Sequence, residues 1–250
     1  MKALCRAVVV GCAAAFLLAG AARAETVDVA LVLAADVSRS IDDEEFALQR
    51  DGYAAALTDP RVLQAIQSGV NGAVAICYVE WASPDQQEVV VDWTIVRDGE
   101  GAAAAADKLR TAPRSFLGRT AIGAAIEFAL GKLAASGVTA TRRVIDVSGD
   151  GTNNAGTPVT AARDRAVAAG VTVNGLAIIN EHANYGYVAH TQPPGGLPAY
   201  YRANVIGGPG AFLLTVESFD SFGEAVRDKI VSEISGVPPD AAFAGDLRSR

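Results

Sequence analysis

The chain has 250 residues, half of them apolar, and its 28 acidic residues outnumber 21 basic ones for a net charge of −7. That balance disfavours nucleic acid and anionic membrane surfaces as partners, because both need clustered positive charge. The length and apolar content suit one domain with a sizeable core.

Residues 1–24 read as a secretory leader. Lys2 and Arg6 form a positive start, Ala7 to Gly20 is apolar, and Ala22-Arg23-Ala24 fits a small-x-small cleavage site. The apolar stretch is short for a membrane span of about 20 residues, so the expectation is cleavage after Ala24 and a periplasmic or secreted protein. Cleavage removes Lys2, Arg6 and Arg23 but no acid, which takes the net charge from −7 to about −10. It also removes Cys5 and Cys12. Cys77 is then the sole thiol, so no intramolecular disulfide can form and the fold rests on its core.

From Glu25 strand and helix patterns alternate. Val27 to Ala35 is a short aliphatic run of the kind buried in parallel sheets. Asp42-Asp43-Glu44-Glu45 is an acidic first turn that favours a helix start, with an amphipathic stretch to Leu57 and a second short helix over Pro60 to Gln67. Gly72 to Trp81 and Glu88 to Thr94, separated by the turn Ser83-Pro84-Asp85, predict a hairpin that gives the sheet one antiparallel edge. Helices follow over Gly99 to Leu109 and Thr120 to Ala135, then a strand over Arg143 to Val147, a helix over Thr157 to Ala169 and a strand over Val171 to Ile179. The pattern is lost from Asn180 to Gly210 apart from a short helix near Pro198 to Asn204. A last strand, Ala211 to Val216, and a helix, Phe219 to Ile234, precede a tail over 237–250. Such alternation implies an α/β domain over 25–236: a doubly wound, mostly parallel sheet with helices on both faces.

In open α/β sheets ligands bind at the carboxyl ends of the strands. Asp36-Val37-Ser38-Arg39-Ser40 follows the first strand and sets a carboxylate and two hydroxyls at alternate positions. Such oxygens can converge on a hard cation such as Mg²⁺. Thr120 precedes a helix, where threonine also serves as an N-cap. Asp150 follows a strand, in an Asp-Gly pair that also suits a turn. Each of these two positions admits both readings.

Together, Asp36, Ser38, Ser40, Thr120 and Asp150 resemble the metal-ion-dependent adhesion site of von Willebrand factor A domains in order and spacing. The resemblance covers the βα pattern of nearly the whole mature chain. It implies a divalent cation, Mg²⁺ with Mn²⁺ or Ca²⁺ as alternatives, held by the serines and threonine directly or through water and by the aspartates largely through water. It also implies an open coordination position that attracts a Glu or Asp carboxylate of a protein partner. More narrowly, the chain resembles a bacterial family of exported, A-domain-related proteins of uncharacterised function. The residues are Gly118-Arg119-Thr120-Ala121-Ile122-Gly123, Val147-Ser148-Gly149-Asp150-Gly151-Thr152-Asn153-Asn154 and the run Tyr200-Tyr201-Arg202 to Phe212.

The rival is a metal-dependent hydrolase of phosphatase type. The haloacid-dehalogenase arrangement needs a second aspartate where Ser38 stands, and neither Ser38 nor Ser40 lies in a Gly-x-Ser-x-Gly elbow. A third reading keeps the metal for structure alone. Among other residues, Glu80 and Asp146 interrupt apolar strands and need partners or an exposed edge. Arg119 and Arg202 flank the predicted site and suit either contact with an acidic partner or, the more common case, a solvated or salt-bridged surface arginine. His182 and His190 fit no short zinc motif and are expected on the loop surface. Tyr185, Tyr187, Tyr200 and Tyr201 crowd the same loop and suit either a binding surface or packing on the domain.

Overall fold

A computed structural model describes residues 24–179 and 188–239. The leader up to residue 23, His182, Tyr185, Tyr187 and tail residues 240–250 lie outside the described residues. The described strands are β1 (Thr26–Asp36), β2 (Val74–Trp81), β3 (Gln87–Val96), β4 (Thr139–Gly149), β5 (Thr172–Ile178) and β6 (Leu213–Val216). They form one sheet in the order β3-β2-β1-β4-β5-β6. Only the β2–β3 pair is antiparallel, as the hairpin pattern predicts. Chain order reverses at β1, which has β2 on one side and β4 on the other. The crevice of a doubly wound sheet opens at such a switch point, so the carboxyl ends of β1 and β4 are where a site is expected.

Alternation along each strand divides the core into two layers. Val29, Leu31 and Leu33 of β1 join Tyr53, Leu57 and Phe222 on one face. These come from α1 (Asp43–Thr58) and α8 (Phe222–Ser235), beside α2 (Pro60–Gln67) and α3 (Gly99–Thr111). Ala30, Val32 and Ala34 face the other layer, built by α4 (Ile122–Ala134), α5 (Val159–Ala168) and α7 (Leu197–Asn204). A short helix, α6 (Val188–Thr191), lies just before α7. Helix α1 starts where the acidic turn predicts. Asp42 caps it by accepting from Glu45 N–H at 2.8 Å, and Glu45 accepts in return from Asp42 N–H at 2.9 Å, a capping box.

Both carboxylates that interrupt apolar strands have partners. Glu80 is fully buried and pairs with Arg50 Nε at 2.6 Å, while its second oxygen accepts from Ser115 N–H at 3.0 Å. Asp146 faces Lys229 Nζ at 2.5 Å, and Lys229 also meets Glu233 at 2.5 Å, all three with no exposed side-chain area. Cys77 is buried within β2, and burial pushes its thiol up to about 12, as a structural rather than a reactive thiol requires.

Candidate metal centre

Strand β1 ends at Asp36, and the chain then turns tightly. Asp36 Oδ1 accepts from Ser38 N–H at 2.7 Å, and Ser38 carbonyl accepts from Ile41 N–H at 3.2 Å. Three carbonyls of this loop point at one side chain. Arg114 Nη2 donates to Val37, Ser38 and Ile41 carbonyls at 3.0, 3.1 and 2.7 Å, and Nη1 reaches Asp43 at 3.2 Å. Phe46 packs beneath this guanidinium and that of Arg50, 5.1 and 5.0 Å from its ring centre. The sequence pattern gives no sign of Arg114, which sits in an irregular segment between α3 and α4, yet it braces the backbone that carries Ser38.

Thr120 does not cap its helix. Helix α4 begins at Ile122, its N-cap position is Ala121, and no side chain of its own caps it. Asn153 does so from across the fold, accepting from Gly123 N–H at 3.1 Å. Its neighbour Asn154 accepts from Thr120 N–H at 3.0 Å and donates its own N–H to Thr120 carbonyl at 2.9 Å. The Gly151-Thr152-Asn153-Asn154 run after β4 therefore fixes both the helix end and Thr120. With its cap role taken over, the Thr120 hydroxyl turns inward and donates to Ser38 Oγ at 3.1 Å.

All five predicted residues converge. Ser38 Oγ lies 3.3 Å from Ser40 Oγ, which donates to Asp150 Oδ1 at 2.6 Å. Asp36, Ser38, Thr120 and Asp150 are buried and Ser40 is half-buried. The hydroxyl spacings of 3.1 and 3.3 Å lie close to the edge of a Mg²⁺ octahedron, about 2.9 Å for oxygens 2.0–2.1 Å from the metal. Burial foremost, then the Asp150 charge, pushes the Asp36 carboxyl well above the ordinary range, against the pull of the Ser38 hydrogen bonds and the Arg114 charge. Asp36 Oδ2 is buried and has no hydrogen-bond partner among the described residues. Two buried carboxylates, one orphaned oxygen and three hydroxyls form a donor set that a hard divalent cation fits. The described residues hold no cluster of three or more His, Cys, Asp or Glu side chains suited to a metal, so the hydroxyl set is what sets this site apart.

Two further side chains reach it. His190, expected on the loop surface, is half-buried instead. Its Nε2 lies 2.9 Å from Thr120 Oγ1 and its Nδ1 2.9 Å from Thr152 Oγ1, while its carbonyl accepts from Thr152 N–H at 3.1 Å. Burial and, to a lesser degree, the Arg119 charge hold its pKa below the ordinary value. Tyr201 is fully buried. A Cβ placed at Gly149 would stand 2.9 Å from both Tyr201 Oη and Asp36 Oδ2, so the bare glycine at the end of β4 makes room for the phenol beside the carboxylate. Burial first, then Asp36 and Asp150, raises the Tyr201 phenol far above its usual pKa. Tyr200 also serves the site, since its hydroxyl accepts from Asn153 N–H at 3.1 Å. Both tyrosines thus pack on the domain. Arg119 is exposed and donates to Asn154 carbonyl. Arg202 is exposed too, and with β6 and α8 it lines a groove of about 600 Å³.

Among solved structures, the chain is similar to proximal thread matrix protein 1 from the mussel byssus in a form with a zinc-occupied MIDAS motif, at 17% identity and TM-score 0.57. That match covers 85% of this chain and 49% of that one. A von Willebrand factor type A protein from Catenulispora acidiphila matches at 15% identity and TM-score 0.57, over 83% and 43% of the two chains. The pilus adhesin SpaC from Lactobacillus rhamnosus GG matches at 15% identity and TM-score 0.55, over 84% and 31%. The chain thus spans about half the length of the byssus protein and less of the other two. At these identities the likeness is one of fold, and the fold is that of a von Willebrand factor A domain. No curated protein matches the sequence. Residues 26–238 match the family described as "Protein of unknown function (DUF1194)", and the chain belongs to that family.

Proposed function

We propose that the domain is a non-enzymatic binding module that holds a divalent cation through Asp36, Ser38, Ser40, Thr120 and Asp150, oxygen donors that by themselves suit Mg²⁺. The cation then presents an open position to a Glu or Asp carboxylate of a protein partner. The observation that carries this reading is the convergence of three hydroxyls and two buried carboxylates at the switch point of the sheet. With neutral hydroxyls as the direct ligands and the aspartates acting largely through water, part of the cation's charge stays unmatched at short range, which favours an anionic ligand from outside. The zinc-occupied MIDAS motif of the byssus protein and the adhesin role of SpaC support the same reading. The leader pattern of residues 1–24 supports export to the periplasm or beyond, which mass analysis tests by finding a mature chain that starts at Glu25. Among the described residues no helix is long and apolar enough to cross a membrane. The test of the partner step is capture from the exported fraction with Mg²⁺ and with chelator. The reading expects acid-bearing partners retained only with Mg²⁺, and retention indifferent to chelator would sink it.

One contact speaks for the hydrolase alternative: His190 Nε2 stands 2.9 Å from the Thr120 hydroxyl, the distance of a base from a nucleophile. Against it, Thr120 is only 2% exposed and turns its hydroxyl to Ser38. Among the described residues the imidazole is backed by Thr152 and by no carboxylate. A panel of phosphate and carboxyl esters decides, and turnover lost in Thr120→Val would establish the alternative.

A further inference from the structure

His190 lies outside the five-residue motif, yet the fold delivers its ring to the metal centre with care. Thr152 holds it twice, through its N–H on the His190 carbonyl at 3.1 Å and through Oγ1 at 2.9 Å from Nδ1. In metal-bound histidines the second nitrogen gives its N–H to an acceptor, which fixes the tautomer and aims the other lone pair. The Thr152 hydroxyl can take that N–H, the proton that Nε2 turns to Thr120 in the metal-free chain being given up on binding. Nε2 then stands 2.9 Å from Thr120 Oγ1, about the spacing of neighbouring ligands around a small divalent cation. It extends the run of donors from Thr120 to Ser38, Ser40 and Asp150. The ring lies flat against Gly151, where a Cβ would come within 2.2 Å of Nε2, so the glycine after Asp150 is what admits it.

We propose that His190 Nε2 is an additional ligand of the centre, and that this nitrogen makes the site bind zinc in preference to magnesium or calcium. The proposal rests on the cation reading above and adds the choice of metal. Imidazole favours borderline ions such as Zn²⁺, whereas hydroxyl, carboxylate and water alone suit Mg²⁺ and Ca²⁺. Removing the nitrogen therefore lowers zinc affinity while the oxygen set keeps its hold on magnesium.

Calorimetric titration of the purified protein with Zn²⁺ and with Mg²⁺ tests this in the wild type, His190→Gln, Gly151→Ala and Ser38→Ala. His190→Gln offers an amide in place of the imidazole, and Gly151→Ala displaces the ring without changing it. Both are expected to lose about ten- to a hundredfold in zinc affinity and to keep magnesium affinity within about twofold. X-ray absorption of the zinc-loaded wild type should show imidazole scattering that His190→Gln lacks, a signal a merely structural residue would not move. Equal losses for both metals would make His190 a positioning residue for Thr120 and overturn the proposal, as would unchanged zinc affinity. Undiminished binding of both metals by Ser38→Ala would overturn the cation reading itself.

Discussion

Asp36 divides its work between two oxygens. Oδ1 shapes the loop by accepting Ser38 N–H, while Oδ2 is buried beside Tyr201 and has no hydrogen-bond partner among the described residues. Without a cation, the ionised carboxylate is disfavoured by burial and by Asp150. Asp36→Asn keeps the Ser38 bond and removes the charge. The metal-free variant should therefore be more stable than the wild type at neutral pH, and it should lose divalent-cation binding. Urea unfolding with chelator, paired with Mg²⁺ titration, checks both halves. Arg114 acts at the same scale through the carbonyls of Val37, Ser38 and Ile41. Lysine lacks the guanidinium fork that reaches several acceptors at once. Arg114→Lys should weaken metal binding about tenfold with the secondary structure intact by circular dichroism.

Among the elements, Arg50 ties α1 to β2 and to the chain leaving α3. It pairs with Glu80 and donates to the carbonyls of Leu109, Ala112 and Pro113. Arg50→Ala leaves the buried Glu80 without its ion-pair partner, so the loss of unfolding free energy should reach about 3–5 kcal/mol, measured by denaturant titration. Pairing Arg50→Ala with Glu80→Gln should recover part of that loss. The strands, the hairpin edge and most helices were legible in the sequence, because alternating and aliphatic runs separated by glycine and turn residues carry that information locally. Thr120 shows where such reading ends. A threonine before a helix looks like a cap, but Asn153, 33 positions on in the chain, takes that role. Arg114 and His190 were not legible for the same reason. Each lies in or beside irregular chain, and only the packed fold shows which backbone or hydroxyl it meets.

For the whole molecule, the buried Asp146, Lys229 and Glu233 join β4 to α8 across one core layer. Two carboxylates share one lysine, and burial foremost with the Asp146 charge raises Glu233 from 4.5 to about 7. The native state therefore binds this proton more tightly than the unfolded chain. Stability should be full below about pH 4.5 for this group and fall as pH rises to about 7. Urea midpoints across that range check the sign, and Glu233→Gln should flatten the slope. Bound metal adds to stability by mass action: at a hundredfold excess over Kd the gain is about 2.7 kcal/mol, or about 5–10 °C in Tm for a domain of this size. Asp36, Ser38 and Ser40 could be named from their alternation after a strand, and Thr120 and Asp150 through the resemblance to von Willebrand factor A domains, whereas His190 comes from chain that bears no periodic pattern and the short helix that carries Tyr201 does not show from sequence which side meets the site. Calorimetric titration of the purified protein with Mg²⁺ bears most directly on the function. We expect one cation per chain, with binding lost in Asp36→Ala and Ser38→Ala. No binding of Mg²⁺, Mn²⁺, Ca²⁺ or Zn²⁺ by the wild type, or unchanged binding in both variants, would contradict it.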